Sequence, residues 1–115
     1  MKHRDSRVAE AIQQIVSKII REEIRYPVTL FSIPFVTVSR DLTHAKIYLS
    51  FFGSHPEADF EKVKDAKNFI RSTLARRIQL RKAPEIELIF DESISEGIRL
   101  VEKINQLPRA QENNE

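Results

Sequence analysis

The 115-residue chain contains no cysteine, which removes disulfide frameworks, thiolate metal sites and a cysteine nucleophile, and agrees with a reducing compartment. Glycine is nearly as scarce. Gly53 and Gly97 are the only two, so neither a Walker loop nor a dinucleotide loop can form, since both use several glycines to bring backbone amides up to phosphates. Long apolar runs are missing as well. The longest charge-free stretch, Tyr26 to Ser39, is interrupted by Pro27, Pro34 and hydroxyl residues and falls short of the ~20 apolar residues of a membrane span. The N-terminus reads Met-Lys-His-Arg-Asp and lacks an apolar signal core. A cytoplasmic protein without membrane contact is expected.

Catalytic equipment is equally thin. His3, His44 and His55 are the only three histidines, and none has a helical i, i+4 partner that would make a metal-ligand pair. Glu85 with Glu87, and Asp91 with Glu92, read as the solvated edge and end of a strand rather than as an acid/base dyad. No catalytic residue, metal or cofactor is expected.

What the chain does have is sorted charge. Lys62, Lys64, Lys67, Arg71, Arg76, Arg77, Arg81 and Lys82 stand against Asp65 alone, a local balance of +7 in a chain whose total is +2. Residues 83–115 carry Arg99, Lys103 and Arg109 against eight acids, a balance of −5. A directed basic surface is the footprint of a nucleic-acid binder. At this length one domain is expected, over residues 1–107, with a short polar mobile tail expected at 108–115.

Periodicity gives the elements in order. From Ser6 to Arg25, Val8, Ile12, Ile15, Val16 and Ile19 line one side of a helix that Pro27 stops. Arg7, Lys18, Arg21 and Arg25 project from another sector of the same helix. Two strand-like runs follow, Phe35 to Arg40 and Ala45 to Phe52, joined by Asp41-Leu42-Thr43-His44 as an antiparallel hairpin. Pro56 opens a second helix whose apolar row is Val63, Ala66, Ile70 and Leu74. Continuing that row would bury Arg77 and Arg81 unpaired, which is too costly. A break or kink near Thr73 to Arg76 is therefore expected, with Ile78 and Leu80 turning inward beyond it. Ile86, Leu88 and Phe90 alternate with Glu85 and Glu87 as a third strand. The capping spacing Ser93-x-x-Glu96 opens a last helix with Ile94, Ile98, Val101 and Ile104 on one side.

The candidate RNA-binding residues are Arg7, Lys18, Arg21 and Arg25 on the first helix, and Lys64, Lys67, Arg71, Arg76, Arg77, Arg81 and Lys82 around the expected kink. Phe31, Phe35, Tyr48 and Phe52 read as packing rather than base-stacking residues. A module that docks an acidic protein partner is the alternative the same charge pattern allows.

The order helix, strand, strand, helix, helix, strand resembles a type II KH domain, an α+β fold with a three-stranded sheet packed on one side by helices. The usual Gly-x-x-Gly loop is absent: the expected junction reads Ser72-Thr73-Leu74-Ala75-Arg76. Arg7-Val8-Ala9-Glu10, the run Val36 to Ser50 with Asp41-Leu42-Thr43-His44-Ala45-Lys46, and Leu80 to Ser93 with Arg81-Lys82-Ala83-Pro84-Glu85 are similar to the bacterial ribosome-binding factor A family. In that family an alanine helix kink replaces the glycine loop, which places the kink here at Ala75. The resemblance implies a non-catalytic assembly factor that binds the immature small ribosomal (30S) subunit and its 16S rRNA, assists late rRNA maturation and serves cold adaptation. A monomer is expected, and a ribosome-associated GTPase is a candidate partner. The short tail leaves tail-dependent contacts and GTPase-driven release without support here.

Overall fold

Helix α1, His3–Lys18, opens a computed structural model that describes residues 3–92, with side chains from Asp5 onward. The expected last helix from Ser93 and the tail lie outside the described residues. Val8, Ile12, Val16 and Ile19 are buried and Ile15 packs against them, so the apolar stripe of α1 does the work its spacing predicts. Beyond Lys18 the helix does not continue to Arg25 in the same register. Ile19–Glu23 forms a π-helical turn, closed by the Ile24 N–H donating to the Ile19 carbonyl at 3.1 Å. The wider turn sinks Ile19, Ile20 and Ile24 together into the core, a spacing that a regular helix does not place on one narrow stripe. The Val28 N–H then returns to the Ile20 carbonyl at 3.2 Å, which fixes the chain where Pro27 has ended the helix.

Strands β1 (Phe31–Val38), β2 (His44–Phe51) and β3 (Glu85–Phe90) form a sheet of order β1-β2-β3. β1 and β2 pair antiparallel, and β2 and β3 pair parallel. Ala45, Ile47, Leu49 and Phe51 of β2 all point at the helices and are buried, as strand alternation requires. Their partners Val36, Val38, Ile86, Leu88 and Phe90 continue that face. Lys46, flanked by Thr37 and Glu87, lies on the opposite face.

β1 begins four residues earlier than the alternation suggests, because a register shift between Ser32 and Phe35 hides the pattern. Pro34 sits at this irregularity on an edge strand, where a missing N–H is tolerated. The freed Ile33 carbonyl accepts from the Gln13 side-chain amide at 2.6 Å, which ties β1 to α1.

The hairpin link is held from inside. Asp41 Oδ1 accepts from the hydroxyls of Ser39 at 2.8 Å and Thr43 at 2.7 Å and from the Thr43 N–H at 3.2 Å. This organises a turn in which Leu42 takes a left-handed φ of 63°, a conformation costly for a branched side chain unless its neighbours impose it. The same bonds stabilise the ionised carboxylate and hold the Asp41 pKa below its ordinary value, the Thr43 hydroxyl contributing most.

Helices α2 (Pro56–Asp65) and α3 (Lys67–Arg77) cross from β2 to β3. Pro56 at the first turn and the acids Glu57 and Asp59 suit a helix start. The expected kink at Ala75 is not observed. α3 runs through Ala75, which is exposed, and the break falls at Ala66 (φ −91°, ψ 8°). There the Ala66 N–H bonds to the Val63 carbonyl at 3.0 Å, while the Ala66 carbonyl starts α3 by accepting from Ile70 at 2.9 Å.

Arg77 and Arg81 stay out of the core by another route. Val63, Ile70 and Leu74 are fully buried. α3 then stops within one turn, with Ile78 extended at φ −83° and ψ 138°. Arg77 thus occupies the helix end, where it reaches a carboxylate, and Arg81 lies outside the helix. Ile78 and Leu80 pack against the core as expected.

Candidate nucleic-acid interface

On α3, Ile70 and Leu74 define the inward direction. At ~100° per residue, Asn68, Ser72 and Ala75 form the outward crest. That crest is small and uncharged. Lys67 and Arg71 stand on one flank of it, while Phe69 and Arg76 stand on the other, about 180° from Lys67. The basic residues of α3 therefore straddle a low ridge instead of gathering on one spot.

Acids decide which cations remain available. The Arg77 guanidinium spans both carboxylate oxygens of Glu23 on the π-turn, one of the two bonds at 2.8 Å. Arg77 holds the Glu23 carboxyl below its usual range and is itself raised by the same bond. Arg71 lies 3.5 Å from Glu85, Lys64 3.7 Å from Glu61 and Lys62 3.5 Å from Asp59. On the first helix Lys18 meets Glu22 at 3.0 Å, and Arg21 contacts Ser17 at 3.1 Å and Glu22 at 4.0 Å. Arg7 and Lys18 share the register of α1, whereas the π-turn from Ile19 shifts Arg21 and Arg25 out of the sector expected for all four.

Of the remaining candidates, Arg7, Arg25, Lys67, Arg81 and Lys82 meet no carboxylate among the described residues, while Arg76 lies close enough to Glu23 to help lower its pKa. Arg7 is exposed beside Pro34 and Phe35. Arg25 lies over the Tyr26 ring, 5.4 Å from its centre, a cation–π contact that leaves the charge on the surface. Lys67 is half-buried. Arg76 donates to the Thr73 hydroxyl at 3.3 Å. Arg81 and Lys82 are exposed on the α3–β3 link, facing the Asp41–His44 turn across a notch of about 330 Å³.

Two aromatic residues of the surface escape a sequence reading. Tyr26 and Phe69 are 59% and 43% exposed and line one groove between the π-turn and the Ala66 break. Phe69 falls off the Val63–Ile70–Leu74 row, the one signal that marks it in advance. Phe35 and Tyr48 stack on each other across the hairpin at 4.3 Å, yet Phe35 and Phe52 are 47% and 40% exposed, so the packing expected of these two is only partial. No group of three or more potential metal-ligating residues occurs among the described residues, and no helix among them is long and apolar enough to cross a membrane.

A mixed three-stranded sheet with helices on one side, a glycine-free junction between the two central helices and a sorted basic surface define a KH-like binding domain. The family model for ribosome-binding factor A matches residues 4–104, and the chain belongs to that family. Ribosome-binding factor A of Desulfitobacterium hafniense is 35% identical over 117 residues, covering 99% of this chain and 94% of that relative. The crystal structure of ribosome-binding factor A from Thermus thermophilus shares the fold, with a TM-score of 0.66 at 18% identity, over 77% of this chain and 97% of that one. A homology model of the Thermus thermophilus factor, fitted into the cryo-EM map of a 30S complex with it, gives a TM-score of 0.60 at 19% identity, over 73% and 91% of the two chains.

Proposed function

We propose that this protein is a non-catalytic cytoplasmic assembly factor that binds the immature small ribosomal subunit as a monomer, assists late maturation of its 16S rRNA and is needed most in the cold. The observation that carries the reading is the division of cations around α3. Lys67, Arg81 and Lys82 have no carboxylate partner among the described residues; Lys67 and Arg76 flank the crest of small neutral side chains, and Arg81 and Lys82 follow on the α3–β3 link. A low ridge with charged shoulders suits the shallow minor groove of folded RNA, where backbone contacts dominate over base readout. The Thermus thermophilus factor, fitted as a 30S complex, supports the choice of particle.

The grip is electrostatic, so it weakens as salt rises. Sedimentation of the tagged protein with lysate on a sucrose gradient tests the proposal: it travels with free small subunits, and ribonuclease releases it. Sedimentation that survives ribonuclease, or travel away from the small subunit, overturns the reading in favour of a protein partner.

A further inference from the structure

The groove between the π-turn and the α2–α3 break is built differently from the basic surface beside it. Ile24, Arg25 and Tyr26 form one wall and Asp65, Ala66 and Phe69 the other, around about 870 Å³, within the ~300–1,000 Å³ of small-ligand sites. Ala66, where the helix breaks, lies in the lining between Asp65 and Phe69. Tyr26 and Phe69, from segments remote in sequence, line this one groove and are both accessible to solvent.

The charges lining the groove differ in their commitments. Glu23 is occupied by Arg77, and Lys62 lies beside Asp59. Arg25 and Asp65 have no oppositely charged partner among the described residues. Asp65 closes α2, at the helix end where the dipole disfavours an acid, so the fold gains nothing visible from it. A carboxylate with no described cation partner, the Phe69 ring, the remaining face of Tyr26 and the Arg25 guanidinium that covers its other face make a chemically specific set. Ring faces stack on bases, the guanidinium meets a phosphate, and a carboxylate accepts two parallel N–H bonds. Among the four RNA bases, guanine presents two neighbouring N–H donors on one edge.

We propose that this groove receives one unstacked base of folded RNA, guanine in preference to the others, with Tyr26 and Phe69 as stacking surfaces, Arg25 at the adjoining phosphate and the Asp65 carboxylate accepting from the base N1–H and N2–H. The inference rests on the RNA-binding reading above and adds a base-selective contact to a surface that otherwise reads only backbone.

The test is a titration of the full chain with GMP, AMP, CMP, UMP and inorganic phosphate, followed by amide chemical shifts. GMP is expected to move the signals of Ile24, Arg25, Tyr26, Ala66 and Phe69 more than the other nucleotides do. Inorganic phosphate alone leaves the wall amides of Ala66 and Phe69 in place. Asp65→Asn, which cannot accept both bonds, removes the guanine preference. Tyr26→Ala and Phe69→Ala, both at exposed positions, weaken GMP binding by roughly fivefold to a hundredfold. Equal shifts for all four nucleotides, an unchanged preference in Asp65→Asn, or no shift on the groove walls overturns the proposal.

Small-subunit binding is then measured on the same variants. Wild-type binding to subunits with a groove that ignores GMP rejects the groove and leaves the assembly-factor reading standing. GMP binding without subunit binding rejects that reading and leaves a nucleotide pocket.

Discussion

Replacing Arg81 and Lys82 by Gln removes two cations that no described carboxylate neutralises, whereas replacing Arg71 and Arg77 by Gln removes two already paired with Glu85 and Glu23. Sequence alone ranks the two double variants equally, since each lowers the net charge by two. The structure separates them. Each phosphate contact contributes about 0.7 to 0.9 to the slope of log affinity against log salt. Losing both free cations should therefore flatten the slope by roughly 1.4 to 1.8.

A paired arginine has its charge largely cancelled before RNA arrives. Losing Arg71 and Arg77 removes no phosphate contact but uncovers two acids whose repulsion salt screens, so its slope should flatten less than that of the Arg81 and Lys82 variant. The assay is fluorescence anisotropy of labelled protein with purified immature small subunits between about 50 and 200 mM salt, with thermal melts to confirm folding. Equal flattening in both variants, or flattening confined to Arg71 and Arg77, would refute the division into free and committed cations.

Other consequences concern the fold. Ala75→Gly costs about 0.5 to 1 kcal/mol in a urea melt, because the residue lies inside α3 near its end; a neutral or stabilising effect would place the bend there after all. Leu74→Ala, at a fully buried site, costs about 2 to 5 kcal/mol by the same measurement, and a loss under 1 kcal/mol would contradict the core described. The Glu23 and Asp41 carboxyls have folded-state pKa values below their unfolded ones, so their stabilisation is present above the unfolded values and fades as pH falls through the folded ones. Glu23→Gln and Asp41→Asn are therefore less stable than wild type at neutral pH, and the gap closes in strong acid; a gap that widens in acid would reverse the sign.

Much of the fold was legible because burial leaves a period. β2 alternates apolar and polar side chains from Ala45 to Phe51, with Ser50 the one buried residue of its other face, and α1 carries its stripe from Val8 to Ile19. β1 was half hidden, since the irregularity at Pro34 breaks the alternation that marks a strand. The helix break was misplaced for a related reason. Asp65-Ala66-Lys67 contains no helix breaker, and alanine favours helix more than any other residue, so tertiary packing sets the bend where propensity gives no sign. The π-turn was equally silent: its cause is the joint burial of Ile19, Ile20 and Ile24, visible only once the sheet is present.

At the candidate site the basic residues were readable but their availability was not. Glu23 and Arg77 lie 54 positions apart, and no local pattern announces their pairing. The groove walls come from segments equally remote, so Tyr26 and Phe69 had no reason to be read together.

Lysine reactivity on the assembled particle tests the central claim most directly. Acetylation of the protein, free and bound to immature small subunits, is read out by mass spectrometry. Lys67 and Lys82 should lose reactivity on binding, while Lys46, on the sheet face opposite the helices, should keep it. Protection of Lys46 with Lys67 and Lys82 still reactive would mean that the RNA is held by the other side of the molecule.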